Sequence, residues 1–354
     1  MISILYFTKP EGGMHNYAKL IEEGYQENEE KTLLFNYYQG RFDYYKQFIC
    51  LLFGVRTNIV EWFIDSSIYS SDIIHFTDTP IYLGFFIKSI YKRDTKFIIT
   101  IHDPNPHPEK GLKLLKYFAM IYLNKQLIRL SKSKNNIFIH VHSEKQVIGS
   151  YSSSIFSKLP ISSLYSEYKK ITSVKKNEPL LVLFIGRLEY YKGVDVFIDS
   201  VNHYNRNNKH PNKCKFTLAG KGNLESKSYP PVNMNLINKF LTNEEFINLI
   251  ENAHLLVFPY RQATQSGVLN MAISLNKPVV VSNVGALSEY VIDKETGILV
   301  EELSSEKLAK IYSQLENDSI FVEEMSKNTL KFKKTLFSKK TIAKILDQIK
   351  GLTE

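Results

Sequence analysis

The sequence predicts an α/β chain of two Rossmann-like, doubly wound domains, and three observations carry that expectation. Short apolar strand-like runs alternate with helical patterns through both halves, which calls for parallel sheets covered on both faces. A length of 354 residues with 44% hydrophobic content suits two cores of ordinary size. A polar stretch, SLYSEYKKITSVKKNEP (163–179), interrupts the alternation with few large aliphatics and reads as a linker. The expected division is residues 1–165, residues 166–335 and a C-terminal helix over 336–354.

The first domain opens on ISILYF (2–7) as a strand. Met14, Tyr17, Ala18, Ile21 and Tyr25 then recur at helical intervals, so Gly12 and Gly13 are expected in the intervening turn, where such folds receive ligands. Further strands are predicted at TLLFNYY (32–38), DIIHF (72–76), KFIITIHD (96–103) and NIFIHVHS (136–143). The second domain repeats the pattern at LLVLFIG (180–186), KFTLAG (215–220), NLINKFL (235–241), LLVFPY (255–260) and KPVVVSN (277–283). KTIAKILDQIKGL (340–352) places Ile342, Ile345, Leu346 and Ile349 on one side of a final helix, which must pack against something.

Composition narrows the function. Cys50 and Cys214 are too few for a disulfide framework and show no paired metal or redox spacing, which fits a reducing compartment. MISILYF lacks the pattern of a signal peptide, and no segment has the run of ~18 apolar residues of a spanning helix. A soluble or peripheral cytoplasmic protein is expected. The formal charge of +9 points to an anionic partner: nucleic acid, acidic lipid or a phosphorylated substrate. FFIKSIYKR (85–93) and KGLKLLKYFAMIYLNKQLIRLSKSK (110–134) interleave cations with aromatic and aliphatic residues, which suits either an interfacial membrane face or solvated lysines on half-buried helices. No recognition-helix, zinc or aromatic RNA-binding pattern supports nucleic acid.

Two segments carry candidate chemistry. FIGRLEYYKGVDVFIDSV (184–201) ends a strand at Gly186, presents Arg187 and Lys192 around a turn and enters a helix. A planar guanidinium fork and a mobile ammonium together suit a diphosphate. The plain alternative is surface pairing of these cations with Glu189 or Asp195. FPYRQATQSGVLNMAISLNKPVVVSN (258–283) places TQSG at a helix start, where backbone N–H groups are open to an anion and Ser266 or Thr264 can cap.

These segments, with GKGNLES (220–226) and NVGALSEYV…TGILV (283–300), resemble the donor-binding domain of family 4 glycosyltransferases, retaining enzymes of GT-B fold. PEGGMHNYAKLI (10–21) is similar to the family's glycine-pair loop, and TIHDPNPHP (100–108) to the region of its active-site histidine. The resemblance implies two domains facing across a cleft that closes for reaction, with the C-terminal helix packing back across them. It implies that Arg187 and Lys192 bind the donor diphosphate and act with His102 in catalysis. Donor contacts are further implied at Gly12, Gly13, Gly220, Gly222, Phe240, Leu241, Gln265, Ser266, Gly267 and Val268, and acceptor contacts at His15, Asp103 and His107. His140 and His142, alternating on one strand, read as structural. Members commonly carry two glutamates seven residues apart before the KPVV strand; here Ala263 and Met271 stand in those positions, and ATQSG looks like a variant motif.

No Asp-x-Asp motif occurs, so metal-independent transfer without a cofactor is expected, the leaving diphosphate being stabilised by fixed cations and helix N–H groups. The implied reaction is hexosyl transfer with retention, from a UDP-sugar or secondarily a GDP-sugar to a lipid-linked or membrane-held glycan. O-antigen, capsule or exopolysaccharide assembly is the expected setting, with anionic inner-membrane lipid as a partner. The alternative is a non-catalytic scaffold of a glycan-assembly complex.

Overall fold

The structure is a computed structural model that describes residues 1–7, 13–36, 65–80, 83, 87, 90–102, 113–143, 154–175, 178–208, 211–222, 231 and 233–353. It divides into two compact units, Met1–Ser162 with Phe337–Glu354, and Ser163–Leu336.

The first unit contains β1 (Ile2–Tyr6), α1 (Gly13–Glu27), β2 (Thr32–Asn36), β3 (Ile73–Phe76), β4 (Lys96–Thr100), α2 (Lys113–Ser133), β5 (Ile137–Val141) and β6 (Ser154–Phe156). Its strands form a parallel sheet of order β2-β1-β3-β4-β5-β6, with the order reversing between β1 and β3. Strand alternation builds two apolar layers. Leu5, Phe76, Phe97, Ile99 and Ile139 face Leu123 and Leu127 of α2. Ile4, Ile98 and Phe138 face Tyr17, Ile21 and Tyr25 of α1, together with Ile342, Ile345 and Ile349 of the C-terminal helix (Ser338–Thr353). That helix thus packs its predicted apolar side in the first unit. Gly24 permits the contact, because a Cβ there would lie 2.6 Å from the Ser338 carbonyl oxygen.

The second unit contains β7 (Leu180–Ile185), α3 (Val194–Asn207), β8 (Cys214–Ala219), β9 (Met234–Ile237), α4 (Asn243–Asn252), β10 (Leu255–Phe258), α5 (Gly267–Ser274), β11 (Val279–Ser282), β12 (Gly297–Val300), α6 (Ser305–Leu315) and α7 (Ser319–Phe332). Its parallel sheet runs β12-β11-β10-β7-β8-β9, a doubly wound order whose switch point lies between β7 and β10. Both sheets therefore have the predicted α/β, Rossmann-like organisation.

Three local expectations change. Gly13 is the first residue of α1 rather than part of the turn, and Gly12 lies outside the described residues. β9 stops at Ile237, because the Asn238 side chain turns to bond both N–H and C=O of Gly222, and Thr242 then forms a capping box with Glu245 that starts α4. The predicted linker is a fixed strap on the second unit. Its orphan carbonyls and amide are taken by side chains: Asn276 donates to Tyr168 and Lys170, Lys333 donates to Tyr168, and Thr172 donates its N–H to Ser326.

Candidate functional site

In the second unit the chain leaves β7 at Gly186, whose φ of 135° suits only glycine, and a Cβ there would lie 3.1 Å from Lys192 Nζ. Glycine thus leaves room for an amine at the strand's carboxyl end. A short 3-10 turn (Tyr190–Lys192) follows, then Gly193 at φ 68°, and α3 begins. Gly193 packs where a Cβ would sit 1.8 Å from the Pro259 carbonyl oxygen, so the loops after β7 and β10 interlock at the switch point.

Lys192 is 8% exposed, donates to the Tyr260 hydroxyl at 3.1 Å and lies 4.9 Å from the Tyr260 ring centroid. Burial, with Arg187 adding to it, lowers its ammonium pKa. No carboxylate pairs with this ammonium among the described residues. Burying a charge without a counter-ion is costly, and a bound anion would relieve that cost. Arg187 lies beside it, exposed, donating to Tyr191 at 3.0 Å and to Glu189 at 3.3 Å. Asp195, the other carboxylate considered from sequence, is held instead by Arg261.

The third wall is the start of α5. Ser266 caps the helix by accepting from Leu269 N–H, and its hydroxyl also bonds Tyr260, whose own pKa burial pushes up to about 12. Gly267 is exposed with open space where a Cβ would point, and Val268 lies within 3.7 Å of a Cβ placed on Gly186. Gln265 and Val268 are half-buried at the same corner. The geometry therefore gathers Arg187, Lys192, Gln265, Ser266, Gly267 and Val268 around one corner of the sheet. Gly220 and Gly222 use their missing side chains for packing: Cβ atoms would strike the carbonyl oxygens of Gly186 and Leu188 at 1.7 and 2.1 Å. Phe240 is 84% exposed, beside half-buried Leu241. Ala263 presents its carbonyl oxygen where a Gly285 Cβ would sit, which commits this backbone to packing.

The first unit places polar groups at the carboxyl ends of its own strands. Asp78, 8% exposed after β3, accepts the Phe7 N–H at the end of β1 through both carboxylate oxygens, and burial raises its pKa to about 7. His102, half-buried after β4, donates from Nε2 to the Thr77 carbonyl at 2.7 Å. That bond leaves the lone pair on Nδ1, and burial lowers the pKa to about 4, so the ring is a neutral hydrogen-bond acceptor at pH 7. His15 Nδ1 bonds the Tyr6 hydroxyl at 2.7 Å on the first turn of α1. Asp103 and His107 lie outside the described residues.

His142 sits against His102, with ring centroids 5.0 Å apart, and donates from Nδ1 to the Ser157 carbonyl. Its buried Nε2, an acceptor by that tautomer, has no partner among the described residues. His140 belongs to a buried relay across the sheet: Tyr25–His75–Thr100–His140–Ser157, with links of 3.1, 2.9, 2.9 and 2.7 Å. Among the described residues no group of three His, Cys, Asp or Glu side chains could hold a metal ion, and no helix is long and apolar enough to cross a membrane.

Residues 179–318 match the model of the family described as Glycosyl transferases group 1. Among curated proteins, alpha-D-kanosaminyltransferase of Streptomyces kanamyceticus is 24% identical over 154 residues, covering 42% of this chain and 39% of that protein. Glycogen synthase of Mycobacterium tuberculosis is 29% identical over 126 residues, covering 34% and 30% respectively. The chain thus spans well under half the length of the curated relatives it matches. Among solved structures, Anabaena Alr3699/HepE in complex with UDP aligns over 98% of this chain and 99% of its own with a TM-score of 0.67 and 14% identity. Sucrose-phosphate synthase from Thermosynechococcus elongatus aligns over 99% and 98% with a TM-score of 0.66 and 15% identity. These likenesses establish the fold, the two-sheet GT-B class.

Proposed function

We propose that the protein is a group 1, family 4-like glycosyltransferase whose second unit binds a nucleoside-diphosphate sugar and whose first unit serves the acceptor. The carrying observation is Lys192: a buried ammonium with no carboxylate paired to it among the described residues, beside Arg187 and the open start of α5, inside the segment that matches the family. Arg187, Lys192 and the first N–H groups of α5 would receive the two phosphates and the charge that builds on them as the anomeric bond breaks. A UDP-sugar is the first choice of donor, since HepE has been solved with UDP and UDP-glucose, and a GDP-sugar is the second.

His102 is neutral at working pH, so its part is to accept a hydrogen bond from a sugar hydroxyl. The acceptor hydroxyl would attack from the face the diphosphate leaves, giving its proton to a phosphate oxygen, with retention and without a metal. Exposed Phe118 and Tyr122 share one face of α2 with exposed Lys125, Arg129 and Lys132, which supports a membrane-held acceptor and peripheral contact with anionic lipid on the cytoplasmic side. Bacterial surface-polysaccharide assembly is the corresponding setting.

Thermal shift with UDP, GDP, CDP and their sugar conjugates tests the reading. A ligand at 100 times its Kd should stabilise the fold by about 2.7 kcal/mol. Stabilisation of wild type by one base and its absence in Arg187→Ala supports a donor site and names the base. Silence throughout would favour the scaffold.

A further inference from the structure

We infer that Arg261 is a positioning residue for the anion site, fixing the turn that carries Lys192; the inference rests on the donor-site reading above. Arg261 lies two residues beyond Pro259, on the loop after β10, and none of the chemistry assigned so far uses it. Its backbone N–H donates to the Tyr191 carbonyl at 2.8 Å. Its Nη1 donates to the Tyr190 carbonyl at 2.9 Å and to Asp195 Oδ1 at 2.7 Å, while Nη2 donates to Asp195 Oδ2 at 2.6 Å. The guanidinium also stands 4.0 Å from the Tyr190 ring centroid.

Arg261 thus ties the start of the 3-10 turn to the first turn of α3 through its guanidinium, and holds the turn's middle residue through its backbone N–H. Each contact answers a physical need. The Tyr190 carbonyl accepts from the Gly193 N–H and takes the Arg261 guanidinium as a second donor, while the Tyr191 carbonyl takes the Arg261 backbone N–H. Asp195 is in the first turn of α3, where a carboxylate is favoured by the helix dipole and a fork-to-fork pair is the strongest partner available. The hydrogen bond from Arg261 to Asp195 also raises the guanidinium pKa.

The consequence falls on Lys192, the next residue in the turn. Among the described residues its ammonium has one hydrogen-bond partner, Tyr260, so its place is set by the backbone beneath it. Tyr260 and Arg261 are neighbours on the same loop, so the clamp fixes both the turn and the hydroxyl that the amine meets. Asp195 is meanwhile committed to Arg261, leaving Arg187 and Lys192 as the cations facing the site. A positional error of about 1 Å at such a group is enough to lose a large part of its effect.

The test is UDP binding by calorimetry on the full-length protein, with three chains: wild type, Arg261→Met and Lys277→Met. Lys277 is a buried lysine that donates to the carbonyls of Glu251 and Ala253, away from the corner, and serves as the control for general loosening of the second unit. The expected result is a Kd for UDP raised at least about 10-fold in Arg261→Met, with no comparable change in Lys277→Met at a similar loss of Tm. Arg261→Lys, which keeps the charge but not the fork, should fall between. Unchanged UDP affinity in Arg261→Met overturns the inference, and so does equal weakening in both methionine variants. Wild-type protein that binds neither UDP, GDP nor inorganic pyrophosphate overturns the donor-site reading itself, a result distinct from wild-type binding that Arg261→Met leaves intact.

Discussion

The first unit buries imidazoles and the second buries amines, and each meets the cost of desolvation in its own way. His75, His102, His140 and His142 all have pKa values pushed down by burial, so they are neutral: His75 and His140 exchange hydrogen bonds along the relay, and His102 and His142 bond the carbonyls of Thr77 and Ser157. Lys192, Lys277 and Lys333 are also pushed down by burial, yet they are satisfied by backbone carbonyls or a tyrosine hydroxyl and not by carboxylates. Lys277 and Lys333 each bind two carbonyls and are structural. Lys192, with one hydroxyl, is left with donors to spare at an open corner. The contrast supports the proposed reading, in which the second unit recognises charge and the first recognises hydroxyls.

The largest expected effect would break that assignment outright. Lys192→Met should lower kcat/KM for sugar transfer at least 100-fold, about 2.7 kcal/mol of transition-state stabilisation. It should do so without a loss of Tm, because the buried charge it removes is itself unfavourable in the free protein. Steady-state kinetics and calorimetry on the same preparation check both halves. A large loss of Tm with unchanged kcat/KM would mean that Lys192 is structural, like Lys277.

His102→Phe comes next. It removes an acceptor while keeping an aromatic ring, and should lower kcat/KM by about 10- to 100-fold while leaving the Kd for UDP within about twofold, since one neutral hydrogen bond is worth roughly 0.5–1.5 kcal/mol and an unpaired group adds to the loss. An equal loss of UDP affinity would show that the two units do not divide charge and hydroxyl recognition.

Acid separates the units by stability. The imidazoles of the first unit have folded pKa values of about 3 for His75 and about 4 for His102, against 6.5 when unfolded. Below pH 6.5 the unfolded chain takes up protons the fold refuses, so their stability contribution is complete above that pH and is lost as pH falls toward 4, by up to about 1.4 kcal/mol per pH unit for each group. Asp78, raised to about 7, works in the opposite direction, but it is one carboxyl against four imidazoles. In the second unit, His254 has a lowered pKa. Hydrogen exchange at pH 5 and pH 7.5 should show protection falling more in β3, β4 and β5 than in β7, β10 and β11. Equal losses would mean that the buried histidines are not the source of the difference.

Where the chemistry is local, it could be read from the chain. Arg187 and Lys192 lie five positions apart after one strand, and Ser266 and Gly267 begin a helix, so the strand-turn-helix pattern places these residues at element ends, while their donor role rests on the resemblance. The sheets were legible for the same reason, as near-continuous apolar runs bounded by turn residues. The histidine relay was not, because His75, Thr100, His140 and Ser157 come from different strands or strand ends and meet through sheet register. Polar residues inside DIIHF and NIFIHVHS were the available signal. Arg261 and Asp195 are separated by 66 positions, and only the meeting of β7 and β10 at the switch point makes them a pair. Two strands lie outside the sequence expectations: β6 has only three residues, and β12 lies within TGILV, a segment that carries the resemblance.

The smallest expected effect sharpens the view that the second unit keeps its cations open. Glu189 pairs with Arg187 at 3.3 Å, but their side chains are 42% and 69% exposed. A pair so wetted contributes about 0–1 kcal/mol, so Glu189→Gln should leave stability within roughly 0.5 kcal/mol of wild type. Its effect on binding has the opposite sign to the variants above: with the competing carboxylate gone, Arg187 is freer to meet a diphosphate, and UDP should bind up to about threefold more tightly, the equivalent of about 0.6 kcal/mol. The gain should shrink as salt is raised, because both groups face solvent within a Debye length of about 10 Å at 0.1 M. Weaker binding in Glu189→Gln would mean that the carboxylate aims Arg187 instead of occupying it, and that the second unit organises its exposed cation as deliberately as its buried one.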